Sequence, residues 1–161
     1  MKPYHQIALI ILIGVVVYLN TLGNSFVWDD ELLVTGNRSI RSLNSIPGFF
    51  SRGLTPRIGG NFYRPLQSVS YAIGYSIWGY NPAGYHLTNL LIHLTNAVLL
   101  FLIILHITDR PSLSFLTGLF FVIHPVQTEA VSYISGRADI VSALFMLLSL
   151  LLFVRGGKKQ T

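Results

Sequence analysis

The stretch HLTNLLIHLTNAVLLFLIILHI, residues 86–107, decides the fold class, because its 22 residues include no formally charged side chain. A helix rises about 1.5 Å per residue, so this stretch is long enough to cross the roughly 30 Å hydrocarbon core of a bilayer. Only 11% of the 161 residues are charged and 52% are apolar, whereas a soluble domain carries about 25% charge. The composition excludes a disordered chain and predicts an all-α, polytopic membrane protein.

Three further stretches, uncharged over about residues 7–22, 112–128 and 140–154, predict a total of about four transmembrane helices, at residues 6–23, 86–107, 111–128 and 138–154. The first follows Lys2, but no small-residue cleavage site comes after it, so we interpret it as a retained signal anchor. Pro125 is expected to kink the third helix, because proline removes a backbone hydrogen bond and clashes one turn back.

The segment at residues 65–80 is ambiguous, because it is uncharged but contains several polar residues. Tyr71, Tyr75 and Trp78 recur at spacings of four and three, which places them on one face of a helix. Tyrosine and tryptophan favour the membrane interface. We therefore predict a membrane-parallel helix within an external loop at residues 24–85, although a further crossing is the alternative.

Four crossings place both termini on one side of the membrane and the two large polar regions on the other. The basic residues Arg155, Lys158 and Lys159 lie directly after the last span. Positive residues next to a span favour the cytoplasmic side. The prediction is an inner or plasma membrane protein with cytoplasmic termini and polar loops outside the cytoplasm.

The second span carries an internal repeat, in which HLTN at residues 86–89 recurs at residues 93–96. The side chains of His86, Asn89, His93 and Asn96 then form one polar stripe along the helix. Such a stripe faces protein or a water-filled cavity, so it indicates either interhelical hydrogen bonds or the pore of a small transport or channel subunit. The two histidines lie about 10 Å apart along the axis, too far for one metal ion, and no metal site is predicted.

Three consecutive acidic residues, Asp29, Asp30 and Glu31, follow Trp28 directly after the first span. Adjacent carboxylates repel one another unless a cation or a hydrogen-bond donor offsets the charge. The alternative is a solvated span end with an interfacial tryptophan. Arg64 follows in the same loop, and its guanidinium suits a phosphate, either of a substrate or of a lipid headgroup.

The third polar cluster comprises His124, Glu129, Arg137 and Asp139, between the third and fourth predicted spans. Ionisable residues at the membrane surface next to a span are costly, which makes them candidates for function. An ion pair of Arg137 with Asp139 or Glu129 that closes the bend is the alternative.

Five motifs in this order resemble the TMTC-type protein O-mannosyltransferases (transmembrane and tetratricopeptide-repeat proteins) and their bacterial relatives. They are NSFVWDDE (24–31), YRPL (63–66), GYHLTN (84–89), HPVQTEAV (124–131) and GRAD (136–139). The resemblance covers about residues 20–150, and its most specific part is HPVQTEAVSYISGRAD at residues 124–139. These enzymes belong with the GT-C fold glycosyltransferases, so the resemblance implies a partial GT-C-like module.

The resemblance implies transfer of a sugar from a polyprenyl-phosphate donor to a protein or glycan hydroxyl outside the cytoplasm. Asp30 would be the catalytic base, with Glu31 beside it and Asp139 as a second acidic position, and Arg64 and Arg137 would hold the donor phosphate. The residues expected to support the site are Asp29, His86, His93, Asn96, His124 and Glu129. No cofactor and no nucleic-acid partner are expected.

The chain is shorter than such enzymes and contains no 34-residue helical repeat. We therefore expect a fragment of a longer enzyme, whose remainder would be its partner within the bilayer. The alternative is an inactive, truncated membrane module that binds lipid phosphate or a partner protein. Motifs of soluble enzymes, such as a P-loop or G-x-S-x-G, do not occur.

Overall fold

The computed structural model describes residues 2–51 and 63–157, and this part of the chain is built from helices and turns without a strand. The seven α-helices are α1 (Pro3–Tyr18), α2 (Ile46–Ser51), α3 (Pro65–Trp78), α4 (Pro82–Thr108), α5 (Pro111–Ile123), α6 (Gln127–Ser132) and α7 (Arg137–Gly157). Single turns of 3₁₀-helix lie at Leu19–Gly23, Arg38–Arg41, Leu43–Ser45 and Ile134–Gly136, and a π-helical turn lies at Glu31–Thr35.

Prolines set several helix boundaries. Helices α1, α3, α4 and α5 each have proline in the first turn, where its missing N–H group has no intrahelical partner to lose. Helix α5 ends at Ile123, and His124 is extended with φ −64° and ψ 128°, because the residue before a proline is pushed out of the α region. The helix predicted over 111–128 is thus a shorter helix followed by a break.

Within residues 2–51 and 63–157, three helical segments are long and apolar enough to cross a membrane: Pro3–Gly23, Pro82–Thr108 and Ile134–Gly157. The 13-residue helix α5 is also apolar, but it is about 20 Å long and shorter than the hydrocarbon core. The prediction of an all-α, polytopic membrane protein is confirmed, with three long candidate spans and a shorter apolar helix in place of four full spans.

The four apolar helices alternate in direction. His93 on α4 contacts the carbonyl oxygen of Val122 on α5, and Gly118, earlier on α5, lies against Ala97 and Phe101, later on α4. Helices α4 and α5 are therefore antiparallel, as the two-residue link between them requires. Helix α1 runs with α5, and α7 runs with α4.

This arrangement brings the end of α1 and the start of α4 to the same end of the bundle as the α5–α7 connection. The first loop packs there through Leu33, Val34 and Ile40, which form an apolar cluster with Tyr71 of α3 and Ile134. Helix α3 has 14 residues, and its orientation relative to the membrane stays a prediction. Lys158 and Lys159 lie outside the described residues, and the side that the termini occupy also stays a prediction.

Candidate functional site

Asp30 lies at the centre of the packed end of the bundle and is fully buried. Its Oδ1 atom accepts hydrogen bonds from the backbone N–H of Ser135 at 2.8 Å and from the Ser135 hydroxyl at 2.6 Å. Its Oδ2 atom accepts one from the backbone N–H of Val27 at 3.2 Å. Three donors therefore stabilise a charged carboxylate that water does not reach.

Arg137 begins helix α7 two residues after Ser135, and it is also fully buried. Its Nε donates to Asn89 Oδ1 at 2.7 Å and its Nη2 to the carbonyl oxygen of Tyr85 at 2.8 Å. The guanidinium also lies over the rings of Tyr71 and Tyr85, at 4.8 and 5.4 Å from their centroids. Neutral oxygens and aromatic faces thus stabilise the buried cation.

Helix α3 packs against the Ile134–Gly136 turn and helps to bury Asp30 and Arg137. Gln67 Nε2 donates to the carbonyl oxygen of Ser135 at 2.9 Å, and the Tyr71 hydroxyl donates to that of Ile134 at 3.0 Å. Burial raises the pKa of Tyr71 to about 12, and the nearby charge of Arg137 offsets part of this effect. Tyr71 therefore stays a hydrogen-bond donor at neutral pH.

Asn89 connects the polar stripe of α4 to this site. Its amide nitrogen donates to the carbonyl oxygens of Val131 at 3.3 Å and Tyr133 at 3.1 Å, while its oxygen accepts from Arg137. His86, one turn earlier, is buried, and among the described residues neither ring nitrogen makes a hydrogen bond of good geometry. Its neighbours include Asp30 and Arg137.

The remaining stripe residues are buried further along α4, away from Asp30. His93 contacts the carbonyl oxygen of Val122 on α5 at 3.4 Å, and Asn96 donates to that of Ile140 on α7 at 2.9 Å. All four stripe residues face the bundle, whereas Leu91 on the opposite face is 54% exposed. The stripe makes interhelical contacts on both sides of α4.

The other predicted site residues lie on the surface at or near this end. Asp29, Glu31, Arg64, Glu129 and Asp139 are exposed, and His124 is partly buried. The backbone N–H of Asp29 donates to the Tyr133 hydroxyl at 3.3 Å, while its side chain is exposed. The structure therefore joins Asp30 directly to the segment that leads into Arg137 and leaves the other predicted acids and Arg64 exposed.

Sequence reasoning did not assign Ser135, Gln67 or Tyr85 to the site. Ser135 lies inside the most specific motif, but a lone serine carries no charge or spacing signal. Gln67 is one of several polar residues in the uncharged segment 65–80, and Tyr85 contributes a backbone oxygen, so neither stands out in the sequence. In residues 2–51 and 63–157, no group of three His, Asp or Glu side chains is arranged to hold a metal ion.

Comparison with known proteins shows clear relatives over most of the chain. Protein O-mannosyl-transferase TMTC2 of Mus musculus is 35% identical over 150 residues, which cover 89% of this chain. The Drosophila melanogaster protein O-mannosyl-transferase Tmtc1 is 32% identical over 145 residues, or 87% of the chain. The chain is thus related to the TMTC protein O-mannosyl-transferases over most of its own length.

The TMTC resemblance of the motifs is thereby confirmed, and it extends to more distant members. Protein O-mannosyl-transferase TMTC4 of Homo sapiens is 29% identical over 169 residues and covers 92% of this chain. The chain spans about a fifth of the length of these TMTC relatives: 18% of TMTC2, 17% of Tmtc1 and 22% of TMTC4. No family model matches the sequence, and no solved structure matches it.

Proposed function

We propose that this chain forms the catalytic end of a membrane glycosyltransferase that moves a mannosyl group from a polyprenyl-phosphate donor to a hydroxyl acceptor outside the cytoplasm. The names of the TMTC relatives, protein O-mannosyl-transferases, support mannose as the sugar and a protein as the acceptor. The observation that carries the proposal is the junction of Asp30 with Ser135, which joins the first loop to the start of α7.

Asp30 acts as the general base in this proposal. A polyprenyl phosphate is a good leaving group, so the reaction depends on charge stabilisation and on a correctly placed acceptor hydroxyl. A carboxylate can orient that hydroxyl and accept its proton as the new bond forms, which contributes about 10²–10⁴ in rate. Asp30 is buried, so the exposed segment at residues 27–29 has to move aside when the acceptor binds.

Arg64 is the first candidate for the donor phosphate. It is exposed and directly precedes the N-terminus of α3, where backbone N–H groups also favour an anion. Arg137 can take part only if α3 moves, because Tyr71 and the carbonyl oxygen of Ser70 cover its guanidinium. In the present arrangement Arg137 is held inside the site by its neighbours, and Glu31 and Asp139 are exposed at the same end of the bundle.

The test is to measure mannosyl transfer and donor binding in membranes from cells that express the gene, with matched substitutions. Asp30→Asn should lower turnover by about 10²-fold or more with donor binding nearly unchanged. Arg64→Ala should weaken donor binding, because a phosphate loses a charged partner. Asp29→Asn serves as the matched control, since that side chain is exposed and should affect turnover less.

The outcomes separate the alternatives. Full turnover in Asp30→Asn would refute the base assignment. Donor binding without turnover in the unmodified protein would favour an inactive module that binds lipid phosphate. The channel alternative predicts ion or solute flux that changes with His93→Leu, although His93 and Asn96 already contact neighbouring helices.

A further inference from the structure

The Ile134–Gly136 turn holds the carboxylate of Asp30 through a single residue. Ser135 supplies two of the three donors, although it lies 105 residues away in sequence. The hydroxyl bond of 2.6 Å is the shortest of the three, as expected for a donor that meets a charged acceptor.

The turn itself is fixed on several sides, so the direction of these donors is set by the fold. Gln67 and Tyr71 of α3 donate to its carbonyl oxygens. Gly136 packs so closely on α6 that an added Cβ atom would lie 2.8 Å from the carbonyl oxygen of Glu129 and 2.9 Å from the Cα of Ala130. The backbone of α6 on one side and two side chains of α3 on another leave the turn little room to shift.

The two carboxylate oxygens of Asp30 therefore differ. Oδ1 receives both bonds from the rigid turn, while Oδ2 receives one longer bond from Val27, at the start of an exposed segment. Trp28 in that segment is 83% exposed and has φ 50°, a conformation that is rare for a bulky side chain and costs free energy. Oδ2 is thus the oxygen that a small movement of residues 27–29 uncovers.

We propose that Ser135 is a positioning residue for the transfer reaction, which holds Asp30 by Oδ1 so that Oδ2 faces the acceptor. The inference rests on the proposed function above. In the step, the acceptor oxygen bonds to the anomeric carbon and the carbon–oxygen bond to the phosphate breaks. The electron pair leaves with the phosphate, and the hydroxyl proton goes to Oδ2.

The test compares kcat and KM for mannosyl transfer in Ser135→Ala, Ser135→Thr and Ser142→Ala, assayed in the same membranes. Ser135→Ala should lower kcat by about 10- to 100-fold, because displacement of a reacting group by about 1 Å costs this much, with KM for the donor changed less than about twofold. Ser135→Thr keeps the hydroxyl and should recover most of kcat. Ser142, whose hydroxyl donates to the carbonyl oxygen of Ala138 in its own helix and is exposed, is the control.

A further variant keeps the test sharp if Ser135→Ala is poorly folded. Ser135→Cys retains a small side chain with a weak S–H donor, and its kcat should lie between those of Ser135→Ala and Ser135→Thr. Unchanged kcat in a folded Ser135→Ala protein, while Asp30→Asn abolishes turnover, would overturn the positioning role alone. Full turnover in Asp30→Asn would instead overturn the proposed function. A fall in kcat that Ser135→Thr does not recover would assign Ser135 a packing role and would also overturn the inference.

Discussion

Arg137→Lys should destabilise the protein strongly, although it keeps the positive charge. The guanidinium of Arg137 directs Nε to Asn89 and Nη2 to the carbonyl oxygen of Tyr85, at 2.7 and 2.8 Å. A lysine ammonium is a point donor without a planar fork, so it can keep only one of these two bonds. A hydrogen bond to a charged group contributes about 1.5–3 kcal/mol, and we expect a loss of about 2 kcal/mol or more.

The assay is reversible unfolding of the purified chain in mixed micelles by increasing dodecyl sulfate, followed by circular dichroism, without donor or acceptor. Arg155→Lys is the matched control, because Arg155 lies near the end of the same helix and is exposed. A surface change of this kind should stay within about 0.5 kcal/mol. Equal free energies of unfolding for the two variants would refute the buried arrangement of Arg137.

The same measurement tests whether Arg137 binds the donor phosphate. If Arg137 were a free ligand for the donor, its replacement by lysine would change donor binding and leave the unfolding free energy of the empty protein intact. The contacts with Asn89, Tyr85 and Tyr71 predict instead that the free energy of unfolding falls and that donor binding changes less.

Three further predictions concern topology, packing and pH. The chain has no cysteine, so a single introduced cysteine reports its own side of the membrane. Thr128→Cys should react with an impermeant thiol reagent in intact cells, while Ser112→Cys, at the other end of the bundle, should not. The opposite result would invert the proposed orientation. Gly136→Ala should lower the free energy of unfolding by about 1–3 kcal/mol, because the added methyl group meets backbone atoms of residues 129 and 130. Gly156→Ala, with open space around it, should cause no loss. Equal melting temperatures for the two variants would contradict the tight turn. Burial raises the pKa of Tyr71 from 10.0 to about 12, so the unfolded chain loses this proton first and stability falls as the pH rises from about 10 to 12. Tyr71→Phe should make that fall shallower, which the pH dependence of unfolding measures, and an unchanged slope would contradict the assignment.

The fold class could be predicted from sequence, because the thickness of the bilayer requires about 20 consecutive apolar residues in a spanning helix. The span from residue 86 to 107 lies within the observed α4, and the polar stripe on it faces the bundle. The third span could not be placed correctly, since a proline can kink a helix or end it, and sequence does not decide between them. Here His124 adopts the extended conformation and ends the helix.

The candidate site was predicted only in part, for a related reason. Charged residues in an apolar sequence are recognisable as candidates, so Asp30 and Arg137 were predicted. Their burial, however, depends on hydrogen bonds with neutral groups. The Ser135 hydroxyl donates to Asp30, the Tyr85 carbonyl oxygen accepts from Arg137, and the Gln67 amide holds the carbonyl oxygen of Ser135. Such contacts are set by tertiary packing, and nothing in local sequence spacing reports them.

Asn89 shows why the stripe and the site form one structure. Its oxygen holds the Arg137 guanidinium, and its nitrogen holds two carbonyl oxygens of the segment that leads into the Ile134–Gly136 turn. A residue of a membrane span thereby fixes both sides of the turn that holds Asp30. Because interhelical hydrogen bonds in membranes are individually modest, at about 0.6 kcal/mol on average, one such bond contributes little to stability. The three hydrogen bonds of the Asn89 side chain instead fix the position of the segment around Ser135, and with it the direction of the Asp30 carboxylate. The repeat in the second span is therefore connected to the chemistry proposed at the end of the bundle.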